Sequence, residues 1–181
     1  MTDELEVLKT VTRRLTDAGI GYMVTGSMAL NYYAVPRMTR DIDLVVELSS
    51  GDADRILELF RDSFYLDRET VRLAIERRES FNIIETTRVV KVDFVVRKDT
   101  EYRRTEFSRR RGISVEGQDL VIVAPEDLII SKLDWAKESR SETQLRDVRS
   151  LLASVPDLDR TYLTTWITRL GLESLYRDVS P

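Results

Sequence analysis

Aspartates set inside apolar strands constrain this chain more than any other feature. The run Asp41-Ile42-Asp43-Leu44-Val45-Val46 alternates acidic and apolar residues before ending on a β-branched pair, which is the period of a half-buried strand. Side chains at i and i+2 of a strand share a face, about 6.6–7 Å apart. Asp41 and Asp43 therefore look out of one side of a sheet whose other side is apolar. Aspartate is disfavoured in strands and its charge is costly to bury. A solvated face, or neutralisation by Arg37 and Arg40 in the preceding loop, would explain an isolated Asp-x-Asp. A second intrusion shifts the balance, because Asp93 interrupts the apolar run Val89-Val90-Lys91-Val92-Asp93-Phe94-Val95-Val96. If the two strands are neighbours, three carboxylates share one face. Oxygen donors of that kind, together with substrate phosphates, suit Mg²⁺, which takes octahedral oxygen ligands at about 2.0–2.1 Å.

Gly26-Ser27 follows the short strand pattern Tyr22-Met23-Val24-Thr25. A Gly-Ser turn opening a helix offers free backbone N–H groups to an anion. Ser27 is expected to cap a helix from Met28 to about Ala34, ending before Pro36. Metal-holding acids beside a phosphate cradle are the two parts that phosphoryl or nucleotidyl transfer requires.

Composition prunes the alternatives. The 181 residues contain neither Cys nor His, which excludes disulfides, thiolate nucleophiles, Ser-His-Asp chemistry and His-ligated zinc. Catalysis must rest on carboxylates, Lys, Arg, hydroxyls or a bound hard cation. No apolar run approaches the roughly 20 residues of a membrane span, and the acidic N-terminus shows no secretory pattern. The expected location is cytoplasmic. The net charge of −4 conceals one basic stretch, Arg97 to Arg111, where Tyr102 and Phe107 could stack bases while arginines meet phosphates. Asp99, Glu101 and Glu106 dilute it, and a solvated charged loop is the simpler expectation.

Periodicity predicts helices over about Glu4–Ala18, Ala53–Asp62, Glu69–Arg77, Pro125–Glu138, Ser141–Ala153 and Asp159–Leu170, with a last turn or two after Gly171. Strands are predicted at Phe81–Glu85, Val89–Arg97, Ile113–Val115 and Leu120–Val123 besides the two above. The segment from Lys98 to Gly112 reads as polar and charged. The order implies an α/β (mixed α+β) fold: a mixed sheet flanked by helices over residues 1–124, with a helical subdomain over 125–181 packed on it.

Gly26-Ser27, Asp41-Ile42-Asp43 and Val92-Asp93-Phe94 together resemble the nucleotidyltransferase superfamily, the polymerase-β-like fold, over about residues 20–97. The resemblance implies that Gly26 and Ser27 grip a nucleoside triphosphate (NTP). It implies that Asp41, Asp43 and Asp93 hold Mg²⁺, with Asp93 also the candidate base for the acceptor hydroxyl. Arg40, adjoining Asp41, is the loop arginine expected at the site. The later segments from Ala124 to Leu133 and from Gln144 to Val148 resemble the toxin-like AbiEii branch. That likeness makes Lys132 a catalytic and phosphate-binding lysine, and puts Asp147 beside the nucleotide. The implied acceptor is a transfer-RNA end, a protein hydroxyl or a small-molecule hydroxyl of the antibiotic type, with an antitoxin protein as a partner in the toxin case. A non-catalytic binding module with the same fold is the alternative.

Overall fold

The computed structural model describes residues 2–139 and 141–180. Helix α1 (Asp3–Asp17) leads into strand β1 (Tyr22–Val24), helix α2 (Gly26–Tyr33) and strand β2 (Asp41–Val46). A 3-10 turn at Ser50–Asp52 precedes α3 (Ala53–Phe60), β3 (Phe64–Tyr65), α4 (Arg68–Arg77), β4 (Ser80–Glu85) and β5 (Val90–Val96). Then come α5 (Glu101–Ser108), β6 (Arg111–Val115), β7 (Gln118–Ile122), α6 (Pro125–Ser139), α7 (Glu142–Ser154), α8 (Arg160–Arg169) and α9 (Glu173–Val179). The strands form one mixed sheet in the order β3-β4-β5-β2-β1-β7-β6, with β2–β5 and β1–β7 parallel and the other pairs antiparallel.

The period of two decides which side of this sheet is the core. Ile42, Leu44 and Val46 of β2, and Val92, Phe94 and Val96 of β5, point to one face and are fully buried. Phe60 of α3 lies 5.8 Å and Phe81 of β4 5.2 Å from the Phe94 ring. Burying a side chain of this size is worth roughly 1.5–3 kcal/mol, so a one-residue slip of either strand would forfeit several such terms. Helix α1 packs on β2, β5 and β7 over this apolar face. The opposite face carries Asp41, Asp43, Lys91 and Asp93, and α2 runs beside β2. Helices α6 and α7 pack on α2 and on each other, and α8 and α9 close against them. One continuous apolar core runs from the sheet into these helices. Among the described residues no helix is long and apolar enough to cross a membrane.

The structure departs from the sequence expectation in three places. Helix α2 begins at Gly26 with Thr25 as its N-cap residue, so Ser27 is not the cap; its hydroxyl turns outward to an arginine. The two-residue strand β3 is too short to carry a periodic signal. The charged segment after β5 is a helix, α5, not a loop. Its aromatic residues belong to the core: Tyr102 and Phe107 are 4% exposed, and Tyr102 lies 5.0 Å from the Trp166 ring. The arginines around it are paired with carboxylates: Arg97 with Glu47, Arg103 with Glu106 and Asp134, Arg104 with Asp99, Arg109 with Glu126 and Asp127. Neither ring is open to stack a base.

Candidate active site

The β2–β5 register sets Asp43 directly beside Asp93 and Asp41 directly beside Lys91. All three predicted acids therefore share the open face of the sheet. Asp41 is exposed, and Asp43 and Asp93 are half-buried. The turn from β1 into α2 closes over Asp43. Gly26 has φ +61°, and a Cβ there would stand 2.0 Å from Asp43 Oδ2, so only glycine fits this approach. The Thr25 N–H donates to the Asp43 carbonyl at 2.9 Å. Burial pushes the Asp43 carboxyl above its ordinary range, and the neighbouring charges of Asp93 and Asp41 push it further. The Lys132 charge and the Ser27 backbone amide draw it down, without cancelling the rise.

Crowded like charges call for a cation, and Lys91 supplies one. Its Nζ lies 2.8 Å from Asp93 Oδ2 and 3.6 Å from Asp41 Oδ1. Among the described residues no group of three or more acidic side chains is arranged to hold a metal ion. The donor set nonetheless fits a hard divalent cation: the groups are carboxylate oxygens on one face, and an ammonium already stands between two of them.

A second cluster flanks this face. Lys132, 4% exposed on α6, donates to Asp147 Oδ2 at 2.8 Å and to Gln144 Oε1 at 3.1 Å, both on α7. Arg37 donates to the same carboxylate through Nε at 3.0 Å and Nη2 at 2.9 Å. Its Nη2 also donates to Ser27 Oγ at 2.7 Å. Asn31 fixes this loop by exchanging two hydrogen bonds with the Arg37 backbone, at 2.8 and 2.9 Å. The predicted residues Ser27, Lys132 and Asp147 are thus brought together, and Arg37 joins them. Two cations share one carboxylate, leaving positive charge in excess beside the acids. Burial lowers the Lys132 pKa more than Asp147 restores it, with Arg37 adding to the depression. Burial alone would raise Asp147, but hydrogen bonds from Arg37 and Lys132 outweigh it and hold the carboxyl below its ordinary range.

Arg40, expected at the site, is exposed and makes no hydrogen bond or ion pair among the described residues. Arg37, in the same loop, is the arginine bound into the Ser27–Lys132–Asp147 cluster. The loop that carries both arginines is folded back by Asn31.

The fold is similar to those of solved nucleotidyltransferase-like proteins and antibiotic adenylyltransferases. An antigenic nucleotidyltransferase-like protein from Paracoccidioides brasiliensis aligns over 97% of this chain and 93% of its own, at 17% identity and a TM-score of 0.57. The antibiotic-resistance factor ANT(2'')-Ia aligns over 95% of both chains at 13% identity and a TM-score of 0.59. The lincosamide antibiotic adenylyltransferase LnuA aligns over 83% of this chain and 96% of its own at 9% identity and a TM-score of 0.54. At such identities the fold is what is shared. No protein-family model and no curated protein matches the chain.

Proposed function

We propose that this chain is a Mg²⁺-dependent nucleotidyltransferase that moves a nucleoside monophosphate from an NTP to an acceptor hydroxyl. One observation carries the reading: an acidic face of Asp41, Asp43 and Asp93 stands beside a cationic cluster, Lys132–Asp147–Arg37, that reaches the Gly26-Ser27 turn. Asp41, Asp43 and Asp93 would hold the ion, whose charge when bound offsets that developing on the phosphates. Lys132 and Arg37 are the groups for the remaining triphosphate charge, held in place by Asp147. The acceptor oxygen bonds to the α-phosphorus as the bond to the bridging oxygen breaks, and pyrophosphate leaves. In a chain without His, Asp93 or the bound metal would manage the acceptor proton, and Asp93 is the candidate base.

Five of the six arginines of residues 97–111 are engaged in ion pairs, and Arg110 packs on the Phe107 ring, so this surface suits a small hydroxyl-bearing acceptor better than a transfer-RNA end. The similarity to antibiotic adenylyltransferases over most of both chains is consistent with that preference. The test is pyrophosphate release from each of the four NTPs with Mg²⁺. Acceptor panels of aminoglycosides and lincosamides, total transfer RNA and lysate protein are compared between wild type and the Asp41→Ala/Asp43→Ala double variant. Release by wild type alone supports the proposal. Label on transfer RNA would select the toxin reading with its antitoxin partner. Equal release by both proteins contradicts the proposal. NTP binding independent of Mg²⁺, without turnover, indicates a binding module.

A further inference from the structure

Lys91 has no part in the sequence motifs or in the proposed chemistry, yet it sits at the centre of the acidic face. Its position follows from the ladder rather than from a chance rotamer. It is the register partner of Asp41 across the β2–β5 pair and stands two residues before Asp93 on β5, so its stem rises between the two carboxylates. The side chain keeps 42% of its exposure, and an ammonium on a flexible stem is a compact point charge that can swing away. A surface ion pair contributes little to stability, with a typical value of about 0–1 kcal/mol. The more telling feature is location: the cation stands between two of the three groups that would share a metal.

We propose that Lys91 is a tethered counter-ion of the acidic face, occupying the cation position in the nucleotide-free protein and displaced by an incoming divalent ion. This rests on the nucleotidyltransferase reading. The ammonium relieves repulsion among the acids while no metal is present, and it opposes binding of the free ion. Release of Lys91 leaves it anchored on β5 at the edge of the face.

The test titrates Mn²⁺ into the nucleotide-free full-length protein by calorimetry, using wild type, Lys91→Met, Lys91→Arg and Asp43→Asn. Removing one positive charge a few ångströms from a divalent ion should tighten binding roughly tenfold or more in Lys91→Met. Lys91→Arg should bind like wild type or more weakly, and Asp43→Asn should lose binding. In metal-free melting, Lys91→Met should fall below wild type, with Mn²⁺ raising its Tm by more. Lys91→Gln gives the same comparison if the Met variant folds poorly. Wild-type binding that Asp43→Asn abolishes but Lys91→Met and Lys91→Gln leave unchanged or weaken overturns the inference while sparing the nucleotidyltransferase reading. No Mn²⁺ binding by any variant overturns the inference, while label transfer from an NTP decides the nucleotidyltransferase reading separately.

Discussion

Gly26→Ala tests how the turn between β1 and α2 is built around Asp43. The backbone at Gly26 has φ +61°, a region where an L side chain costs about 1–2 kcal/mol. The added Cβ would also stand 2.0 Å from Oδ2, 2.6 Å from Cγ and 2.8 Å from Cβ of Asp43. Because Asp43 Cβ itself is among the colliding atoms, rotating the carboxylate cannot relieve the contact. The side chain must leave its rotamer, at about 0.5–1.5 kcal/mol, and strand or helix must shift as well. The two terms together come to about 1.5–3.5 kcal/mol, or roughly 3–14 °C in Tm for a domain of this size. Gly19→Ala is the control: φ is +66° there, with no atom within 4 Å of the new Cβ, so only the backbone cost of about 1–2 kcal/mol applies. Thermal unfolding followed by circular dichroism should rank the proteins wild type, Gly19→Ala, Gly26→Ala. Equal melting of the two variants would refute the close approach.

Arg37→Ala removes charged hydrogen bonds to Asp147 and Ser27 and should destabilise by about 1–3 kcal/mol, with a loss of nucleotidyl transfer of at least about tenfold. Arg40→Ala should stay within about 0.5 kcal/mol of wild type; the reverse order in melting and transfer assays would contradict the placement of these arginines. Asp147, depressed in the fold by Arg37 and Lys132, stabilises above its unfolded pKa of about 3.9, and that contribution is lost as pH falls through its folded value. The Tm gap between wild type and Asp147→Asn should therefore be full at neutral pH and close as pH falls below the ordinary carboxylate range; a gap independent of pH would count against the ion-pair cluster. Phe107→Ala should cost about 3–5 kcal/mol, as a core truncation does, while Arg104→Ala on the exposed side of α5 stays within about 0.5 kcal/mol. Comparable melting of both would return this segment to a loop.

The parts of the fold legible in the sequence were those where period and propensity agreed. β2 and β5 announced themselves by acids set against Ile42, Leu44, Val92 and Phe94. Their pairing put three carboxylates on one face. Helix α5 was hidden because its buried face is narrow and interrupted by a charge, consisting of Tyr102, Glu106 and Phe107. Glu106, 2% exposed, accepts from Ser131 at 2.6 Å and from Arg103 at 2.9 Å, leaving Tyr102 and Phe107 too sparse to show a stripe. Lys132 was legible as a residue, since it interrupts Leu128-Ile129-Ile130-Ser131 and Leu133. Its partnership with Arg37 was not, because a loop held by Asn31 has no sequence period. Lys91 was invisible for a different reason: a lysine on a half-exposed strand face is ordinary until its neighbours across the ladder are known.

The most direct measurement follows two labels in parallel reactions. Wild-type protein, Mg²⁺ and an acceptor are incubated with an NTP labelled either at the α- or at the γ-phosphate, with Asp43→Asn as the control. Transfer of α-label to the acceptor, with γ-label leaving only as pyrophosphate, and neither reaction in Asp43→Asn, is the predicted result. Transfer of the γ-label instead, or α-transfer undiminished in Asp43→Asn, would contradict nucleotidyl transfer at this acidic face.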